Sequence, residues 1–375
     1  MPSASTPGIV ARMYGRAVHA EHGSSGRDRI AGLPGIRVLA RLGLPFYRWL
    51  TVLYILLHVA RIAIVDGPEL LDPLNHGIDT WTYYAAGQRL NDGHPLYALS
   101  PGDLDVPLAP PFVTVPFLSP PAMAVVWRPL SALHDPELVN RAWLLLCAVV
   151  FLGTVLWMIR RASSVQLVAL AVLAPAIALT AVSGNINALL APLLVLGWSW
   201  AAAGHEARAG ATVAIAAALK VSPAFILVWF LARRSRDGIV GFAVVFAAVL
   251  GASLLGAGLQ NHLDYLDVIR YTSTEGVSGW SLPAYLDGFG IHVSHVQVLV
   301  ATAVAGAIAV VALRHRPGLS WSAAVITSVL ISPVIHLVAL ALLLPGVASL
   351  GYDRAVTDRP GAARWGRLPS HDGGC

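Results

Sequence analysis

An aspartate followed by three aromatic residues is the first candidate for chemistry in this 375-residue chain. Asp79 stands in the segment HGIDTWTYYAAGQRL, residues 76–90. Aspartate is favoured at the N-cap of a helix, and the residues after Asp79 fit a helix that begins there. A carboxylate held in this way can also accept the proton of a hydroxyl group in a reaction. The sequence therefore leaves two compatible roles for Asp79, a helix cap and a general base.

The polar neighbours of Asp79 also allow two interpretations each. Anchoring at the membrane–water interface, where aromatic side chains with polar tips concentrate, explains Tyr83 and Tyr84, and stacking on a sugar is the alternative. Asn185 and Asn187 follow later in SGNINALL, between two apolar segments. They could bind hydroxyl groups of a ligand or cap the next helix, and the sequence leaves both roles open.

Three basic residues lie in or beside apolar stretches, where ionisable side chains are rare and usually functional. Lys220, in ALKVSP, has an anion as its natural partner, and a lipid phosphate would suit it. Arg128, in VVWRPL, invites the same argument, although an interfacial arginine can also extend its charge to water. His336, in SPVIHLVALALLLP, either orients a phosphate or is a core histidine.

The sequence predicts no metal centre and no cofactor. The only cysteines, Cys147 and Cys375, are too few for a metal cluster. His292 and His295 have no third ligand nearby in the sequence. The DLD of residues 103–105 resembles a metal motif of nucleotide-sugar enzymes, but it falls in a segment predicted to face the exterior, where nucleotides are absent.

The elements that must position these residues are membrane helices. The chain is 56% hydrophobic and 12% charged, whereas about a quarter of the residues in a soluble protein are charged. Apolar runs near the roughly 20 residues that cross a bilayer recur along the chain. The net charge of +5 resides in short arginine clusters between those runs, so it does not indicate nucleic-acid binding. We therefore predict an all-α polytopic protein in the lipid bilayer, with its oligomeric state open.

Eight apolar segments and one ambiguous segment make up the predicted membrane domain, residues 44–350. The ambiguous segment, 111–133, contains five prolines and is predicted to be re-entrant or interfacial, since proline removes backbone donors and kinks helices. The segment 211–232 is predicted to form a hairpin about KVSP, and 320–350 to break into two short helices at ISP. The apolar segments are 44–65, 142–159, 165–182, 188–203, 211–232, 238–258, 294–313 and 320–350.

The arginine clusters orient these segments. If 111–133 and 211–232 do not cross the membrane, every cluster lies on one side, as the positive-inside rule expects for the cytoplasm. Two plain crossings would instead put two arginine pairs outside. The first arrangement has cytoplasmic tails at 1–43 and 351–375, and acidic outer loops at 66–110 and 259–293.

Between about residues 50 and 350 the motifs resemble those of the bacterial polyprenyl-phosphate-sugar-dependent glycosyltransferases of family 87, which have the C-type membrane fold. In order, that family has an outer loop with Asp and Tyr-Tyr, a Pro-Pro segment, a Gly-x-x-Asn turn, a Lys-Leu-Thr-Pro segment and a late SP with a His. Ser119 and Asn185 stand where the family has Tyr and often Gln, and the motif around His336 is shortened. The matching stretches are DTWTYYAAGQRLNDGHPLY, FLSPPAMAVVWRPLSALHDPELVNRAW, GNINALL, ALKVSPAFILVWFLARRSR and SPVIHLVALALLLP.

The resemblance implies a membrane enzyme that moves a sugar, most simply mannose, from a polyprenyl-phosphate-linked donor to a cell-envelope glycan or glycolipid. The reaction takes place at the outer face of the plasma membrane and inverts the sugar, with Asp79 as general base. An arabinofuranosyltransferase, a lipid or solute transporter or flippase, and an inactive relative are the alternatives. The implied phosphate-binding residues are Lys220, Arg128 and His336, and those for the acceptor or sugar are Tyr83, Tyr84, Asn185 and Asn187.

Overall fold

Every regular element in the described residues is a helix, as the lengths of the apolar runs predict. The structure is a computed structural model. Residues 1–49 and 50–375 fall into separate units, and the second contains all the candidate residues. The residues that the structure describes are 43–62, 64, 78–97, 117–133, 135–274, 281–332, 335–350 and 352.

Fourteen α-helices and two 3₁₀ helices, Ser222–Ile226 and Leu337–Leu343, occupy the described residues. The α-helices are α1 (Gly43–Arg61), α2 (Ile78–Asn91), α3 (Pro121–Ser131), α4 (Pro136–Arg161), α5 (Ser164–Val172), α6 (Ala174–Val182), α7 (Asn187–Ala202), α8 (Glu206–Leu219), α9 (Leu227–Ala232), α10 (Arg236–Thr274), α11 (Leu282–Gly288), α12 (His295–Ala312), α13 (Pro317–Leu330) and α14 (Leu344–Ser349).

Four of the described helices are long and apolar enough to cross a membrane, namely α1, α4, α10 over Arg236–Arg270, and α12. The pair α5 and α6, bent by 60° at Leu173, passes the same test as one broken span. Large apolar side chains cover the outside of these helices, with Leu255 of α10 91% exposed. A surface of this kind requires lipid rather than water, so the chain is a multi-pass membrane protein, as predicted.

The proline-rich and broken segments behave as their sequences indicate. Helix α3 has 11 residues, which is about 16 Å of helix and too short to cross the hydrocarbon. Helix α8 ends at Leu219, where Lys220 adopts an extended backbone (φ −152°, ψ 120°) before the 3₁₀ helix Ser222–Ile226. Between α13 and α14 the chain likewise changes to a 3₁₀ helix. These breaks place polar backbone and side chains inside an apolar domain.

The predicted second outer loop, 259–293, is largely helical in the residues that the structure describes. Helix α10 continues to Thr274 beyond a kink at Gly258 (φ 79°, ψ 161°), and α11 follows. The kink falls where the predicted apolar segment 238–258 ends, and Asp264 and Asp267 lie on the second helical part that follows it.

Close backbone packing fixes the position of α8. A Cβ added to Gly210 would lie 2.0 Å from the carbonyl oxygen of Gly238, so only glycine fits where α8 meets α10. Small residues at such contacts are typical of membrane helices, since they let the backbones approach. The contact fixes α8, and with it Lys220 directly after its end, within the bundle.

The hydrogen bonds between helix ends show that the arginine clusters lie at one end of the helices. The Arg233 guanidinium donates to the carbonyl oxygen of Arg314 (3.3 Å), and Ser235 donates to Glu206. Gln166, five residues after Arg161, donates to the carbonyl oxygen of Val347 (3.1 Å). We call this the basic end, defined by Arg160, Arg161, Arg208, Arg233, Arg234, Arg236, Arg314 and Arg316.

Candidate active site

Asp79 lies at the opposite end of the bundle from the arginines. Helix α4 links the two ends: the indole of Trp143 donates to the carbonyl oxygen of Gly184 (2.7 Å), beside Asn185, and Arg161 ends the helix. Eighteen residues of α-helix separate Trp143 from Arg161, about 27 Å at 1.5 Å per residue. The candidate residues and the basic end are therefore distinct regions.

Helix α2 begins at Ile78 and places Asp79 in its first turn, one residue inside the helix rather than at the predicted N-cap. The side-chain amide of Asn185 donates to the carboxylate Oδ2 of Asp79 at 2.8 Å. This bond joins α2 to the turn between α6 and α7. Asp79 is therefore a half-buried carboxylate held by a tertiary contact, which a local capping pattern does not predict.

The turn that carries Asn185 is shaped by a glycine. Gly184 has φ +64°, and a Cβ there would lie 2.5 Å from the hydroxyl oxygen of Thr80. The Asn185 side-chain oxygen accepts the backbone N–H of Asn187, the first residue of α7, at 2.8 Å. One amide group thus accepts the first N–H of α7 and holds Asp79, while the N-cap residue itself is Ile186, which makes no side-chain capping bond.

Asn187 continues the chain of hydrogen bonds to Lys220. Its side chain is fully buried, and its Oδ1 accepts from the Lys220 ammonium at 3.2 Å. Its Nδ2 donates to the carbonyl oxygen of Val338 at 3.3 Å. The result is a continuous line, Asp79–Asn185–Asn187–Lys220, drawn from three parts of the sequence.

His336 stands beside this line. It precedes the 3₁₀ helix whose Val338 carbonyl accepts from Asn187 and from Thr180 (3.3 Å each). The His336 side chain is exposed, and it is near enough to Asp79 to act on its charge. We call the five residues Asp79, Asn185, Asn187, Lys220 and His336 the Asp79 site.

Burial raises the pKa of the Asp79 carboxyl above its ordinary value. The hydrogen bond from Asn185 and the nearby charges of Lys220 and His336 act in the opposite direction. A carboxylate whose pKa is raised is a stronger base, and it titrates closer to neutral pH. Asp79 thus has the chemistry of a proton acceptor, and the cations beside it suit an anionic group.

Tyr83 lies one turn after Asp79 on α2, but its ring has no open face for a sugar. It is 3% exposed and packs against Phe117 and Trp127, with ring centroids 6.5 and 5.7 Å away. Its hydroxyl lies close to the main chain of Ile186 and to the side chain of Ser119. Tyr83 therefore ties α2 to the asparagine turn, which differs from the predicted sugar contact.

Tyr84 and Arg128 are not joined to the Asp79 site. The Tyr84 hydroxyl donates to the carbonyl oxygen of Leu133 at 3.0 Å. Arg128 donates to the side-chain oxygen of Asn91 (3.0 Å) and to the carbonyl oxygen of Gly256 (2.8 Å). Asn91 follows Asp79 by twelve residues on α2, about 18 Å along the helix. The charge of Arg128 is used to join α2, α3 and α10, and its predicted role in binding the donor phosphate stays a prediction.

Two features of the site were not foreseen from the sequence. Ser119, which stands where the family has a tyrosine, lies beside the hydroxyl of Tyr83. The Val338 carbonyl carries no sequence signal at all, because any residue supplies a carbonyl.

Among the described residues no group of three or more His, Cys, Asp or Glu could hold a metal ion, although His292 and His295 both approach Asp287 (3.6 and 2.8 Å).

Comparison with known proteins bears on the family. The model of glycosyltransferase family 87 matches residues 117–333, more than half of the chain. The chain matches no curated protein and no solved structure significantly. The matched region contains Asn185, Asn187 and Lys220, and it begins after Asp79. The chain therefore belongs to glycosyltransferase family 87, as its motifs predicted, and is a membrane glycosyltransferase.

Proposed function

We propose that the protein transfers mannose from a polyprenyl-phosphate-linked donor to a hydroxyl group of a cell-envelope glycan or glycolipid, at the outer face of the plasma membrane. The observation that carries this proposal is the line Asp79–Asn185–Asn187–Lys220. It holds a carboxylate and an ammonium group in one connected arrangement, with His336 beside them. A transfer from a lipid phosphate needs a base for the acceptor and cations for the leaving phosphate.

Asp79 is the general base of the proposed reaction. It takes the proton of the acceptor hydroxyl while that oxygen forms a bond to the anomeric carbon of the sugar. The bond between the anomeric carbon and the phosphate oxygen breaks on the opposite side, and the electron pair leaves with the lipid phosphate. The configuration at the anomeric carbon is therefore inverted. A positioned general base typically contributes 10²–10⁴ in rate.

Lys220 and His336 bind the leaving lipid phosphate and stabilise its negative charge in the proposed reaction. An ammonium group has three donors, and the bond to Asn187 uses one of them. His336 is exposed and adds a second potential donor from another element. Cations and donors aimed at a developing negative charge lower the barrier most effectively where water is excluded. Because Arg128 is engaged by Asn91 and Gly256, we leave it out of this site.

The asparagines position the reacting groups in this account. Asn185 and Asn187 use their side chains on Asp79, on the start of α7, on Lys220 and on Val338. This occupation argues against the acceptor-binding role inferred from the sequence. Because the base and the cation are already held in position, the reaction does not have to meet the entropic cost of positioning them.

The distribution of arginine supports the outer-face assignment. The clusters of the basic end lie together, away from Asp79. Arginine-rich segments favour the cytoplasmic side, which supports an exterior position for the Asp79 site at the other end of the same helices.

A transfer assay tests the proposed function. The purified chain, in vesicles, is given radiolabelled polyprenyl-phosphate-mannose or polyprenyl-phosphate-arabinose with synthetic glycolipid acceptors. We expect the mannosyl donor to be consumed, with an inverted linkage in the product. Transfer from the arabinosyl donor alone would establish the alternative sugar, and equal inactivity with both lipid donors beside an active nucleotide-sugar donor would overturn the proposal.

A further inference from the structure

Helix α10 consists of a membrane-spanning part and a second helical part, which begins at Leu259 after the kink at Gly258. The first part, from Arg236 to Ala257, is about 33 Å of helix at 1.5 Å per residue, which is enough to cross the hydrocarbon. The second part therefore starts where the span leaves the membrane, at the end of α10 remote from the basic end. The proposed transfer assigns no role to this second part.

The chain turns at Gly258 instead of continuing along one axis. The hydroxyl oxygen of Ser253 lies 3.0 Å from Nε2 of His262. Nine residues of continuous helix would separate the two by about 13.5 Å along the axis, more than these side chains can bridge. Three successive carbonyl oxygens at the bend accept from side chains: Gly256 from Arg128 (2.8 Å), Ala257 from Asn261 (2.6 Å) and Gly258 from His262 (2.8 Å). The side chains thus stabilise the bend.

One face of the second part packs on the protein. Asn261, Tyr265 and Val268 recur at spacings of four and three residues, which places them on one side of the helix. Val268 is buried, and the Tyr265 ring lies beside the ring of Tyr97, with 5.6 Å between centroids. The side-chain oxygen of Asn261 accepts the backbone N–H of Leu96 at 2.7 Å. This side of the helix is therefore fixed against the segment that follows α2.

A second face is apolar and exposed. Leu259, Leu263 and Leu266 follow the same spacing and are 65%, 48% and 59% exposed. At 100° per residue they lie within about 80° of one another, roughly opposite to the face that packs on the protein. We call these three residues the leucine face. Three large exposed apolar side chains together on one side of a helix favour contact with lipid or protein over contact with water.

The third face is polar and indicates where water lies. Gln260, Asp264 and Asp267 form it, and the Gln260 amide donates to the Asp264 carboxylate at 2.7 Å. It lies on the opposite side of the helix from His262, whose contact with Ser253 reaches back to the membrane span. The leucine face adjoins the His262 side instead. The leucines therefore lie on the membrane side of the helix, and the polar face lies on the other.

We propose that the second part of α10 lies in the interface of the lipid bilayer, with the leucine face inserted among the headgroups and upper acyl chains. An amphipathic helix of this kind lies in the plane of the membrane with its apolar face about 5–10 Å deep. Lipid is close at hand, because Leu255 on the span, just before the bend, is 91% exposed. Arg270 follows on the leucine side, where an arginine can extend its charge to the lipid phosphates.

Electron paramagnetic resonance of the spin-labelled chain in phospholipid vesicles tests the position of the leucine face. Labels are attached to Leu266→Cys and, as the matched control on the polar face, to Gln260→Cys. Both variants also carry Cys375→Ser, and Cys147 is buried. Molecular oxygen concentrates in lipid, whereas a nickel chelate stays in water. We expect the ratio of oxygen to nickel accessibility to be several-fold higher at residue 266 than at residue 260.

A label at Leu255→Cys on the span provides the reference for full lipid exposure and should give the highest ratio. If nickel reaches the label at residue 266 as readily as the label at residue 260, the leucine face lies in water and the proposal is overturned. Exclusion of both reagents from residue 266 would show that protein covers the leucines, for instance a second copy of this chain, and would overturn it equally.

A distance measurement tests the bend independently of the lipid contact. Along a continuous helix, labels at Val244→Cys and Leu266→Cys would be separated by about 33 Å. Because the chain turns at Gly258, we expect pulsed electron paramagnetic resonance to give a clearly shorter distance. Both sites are exposed, so the labels should not disturb the packing. A distance near that of the continuous helix would remove the bend that lays the second part on the membrane, and the proposal with it.

Discussion

At the Asp79 site a carboxylate and an ammonium group are each held by an asparagine, whereas the arginines of the basic end lie mostly exposed with carbonyl or aromatic contacts. The chain contains a single lysine, Lys220, and it lies at the Asp79 site. Where arginines orient membrane helices, their number on one side matters more than the position of any one of them. Charge at the Asp79 site depends on named partners from other elements.

The same contrast appears in the helices that build the two regions. At the basic end α4 and α8 stop or start in ordinary turns with arginines in them. At the Asp79 site α8 gives way, through extended backbone at Lys220, to a 3₁₀ helix, whereas positive φ values occur in both regions, at Gly184 here and at Gly204 and Arg234 at the basic end. Interrupted backbone inside a membrane domain is tolerated where it is buried in protein or lines a cavity, which is what a site requires.

The largest effect is expected from Asp79→Asn. The change keeps the size of the side chain and removes its basicity, so transfer should fall by about 10²–10⁴. The matched control is Asp237→Asn at the basic end, which should transfer at the wild-type rate. The transfer rate is measured for both variants, and the elution profile of each solubilised protein in size-exclusion chromatography shows that it is folded. A near-normal rate for Asp79→Asn at equal expression would contradict the general-base role.

Replacement of Lys220 should have the next largest effect. Lys220→Met retains the length of the side chain but removes the cation, and we expect transfer to fall by roughly 10²–10³, as for the loss of an oxyanion donor. Lys220→Arg should recover part of the activity. As the single lysine, Lys220 can also be tested by an amine-reactive reagent; a lipid-phosphate donor should slow its modification, and no protection would count against contact with the phosphate.

Asn187→Ala should have a smaller effect, since it removes a positioning contact and no reacting group. Loss of a hydrogen bond to a charged group costs about 1.5–3 kcal/mol, so we expect transfer to fall roughly ten-fold or more, with a higher KM for the lipid donor. Steady-state kinetics over a range of donor concentrations separates KM from kcat. An unchanged KM together with an unchanged kcat would show that Lys220 does not need Asn187.

The smallest effect is expected at the basic end. Arg208→Gln alters an exposed side chain on α8, and a surface substitution of this kind changes stability by about 0.5 kcal/mol or less. Transfer should stay within about two-fold of wild type. A large loss of transfer in this variant would break the division between the two regions.

Much of the fold could be predicted from the sequence, because hydrophobic length and proline placement act locally. The short α3, the break at Lys220 and the bend between α5 and α6 follow from these signals or fall within the predicted segments. The first helical part of α10 ends at Gly258, where the predicted segment 238–258 ends, and the charged residues after it form a second helical part, because charge stops a membrane segment without stopping a helix.

The sequence predicts which residues form the candidate site better than it predicts the contacts that those residues make. Lys220 drew attention because an isolated cation in an apolar stretch is costly, but its partner Asn187 lies 33 residues away and becomes a neighbour only through packing. Arg128 has the same charge and was given the same role. The carbonyl oxygen of Gly256 and the side chain of Asn91 satisfy it instead, and the sequence contains no sign of either contact.

The pH dependence of transfer tests the central claim most directly, with the wild type and Asn185→Ala measured side by side. A base must be deprotonated, so the rate should rise with pH through the pKa of Asp79, which burial raises above its ordinary value. Asn185 lowers that pKa, so its removal should move the acid limb of the wild-type profile to higher pH. Superimposable profiles, or a rate independent of pH on the acid side, would contradict a carboxylate base held by Asn185.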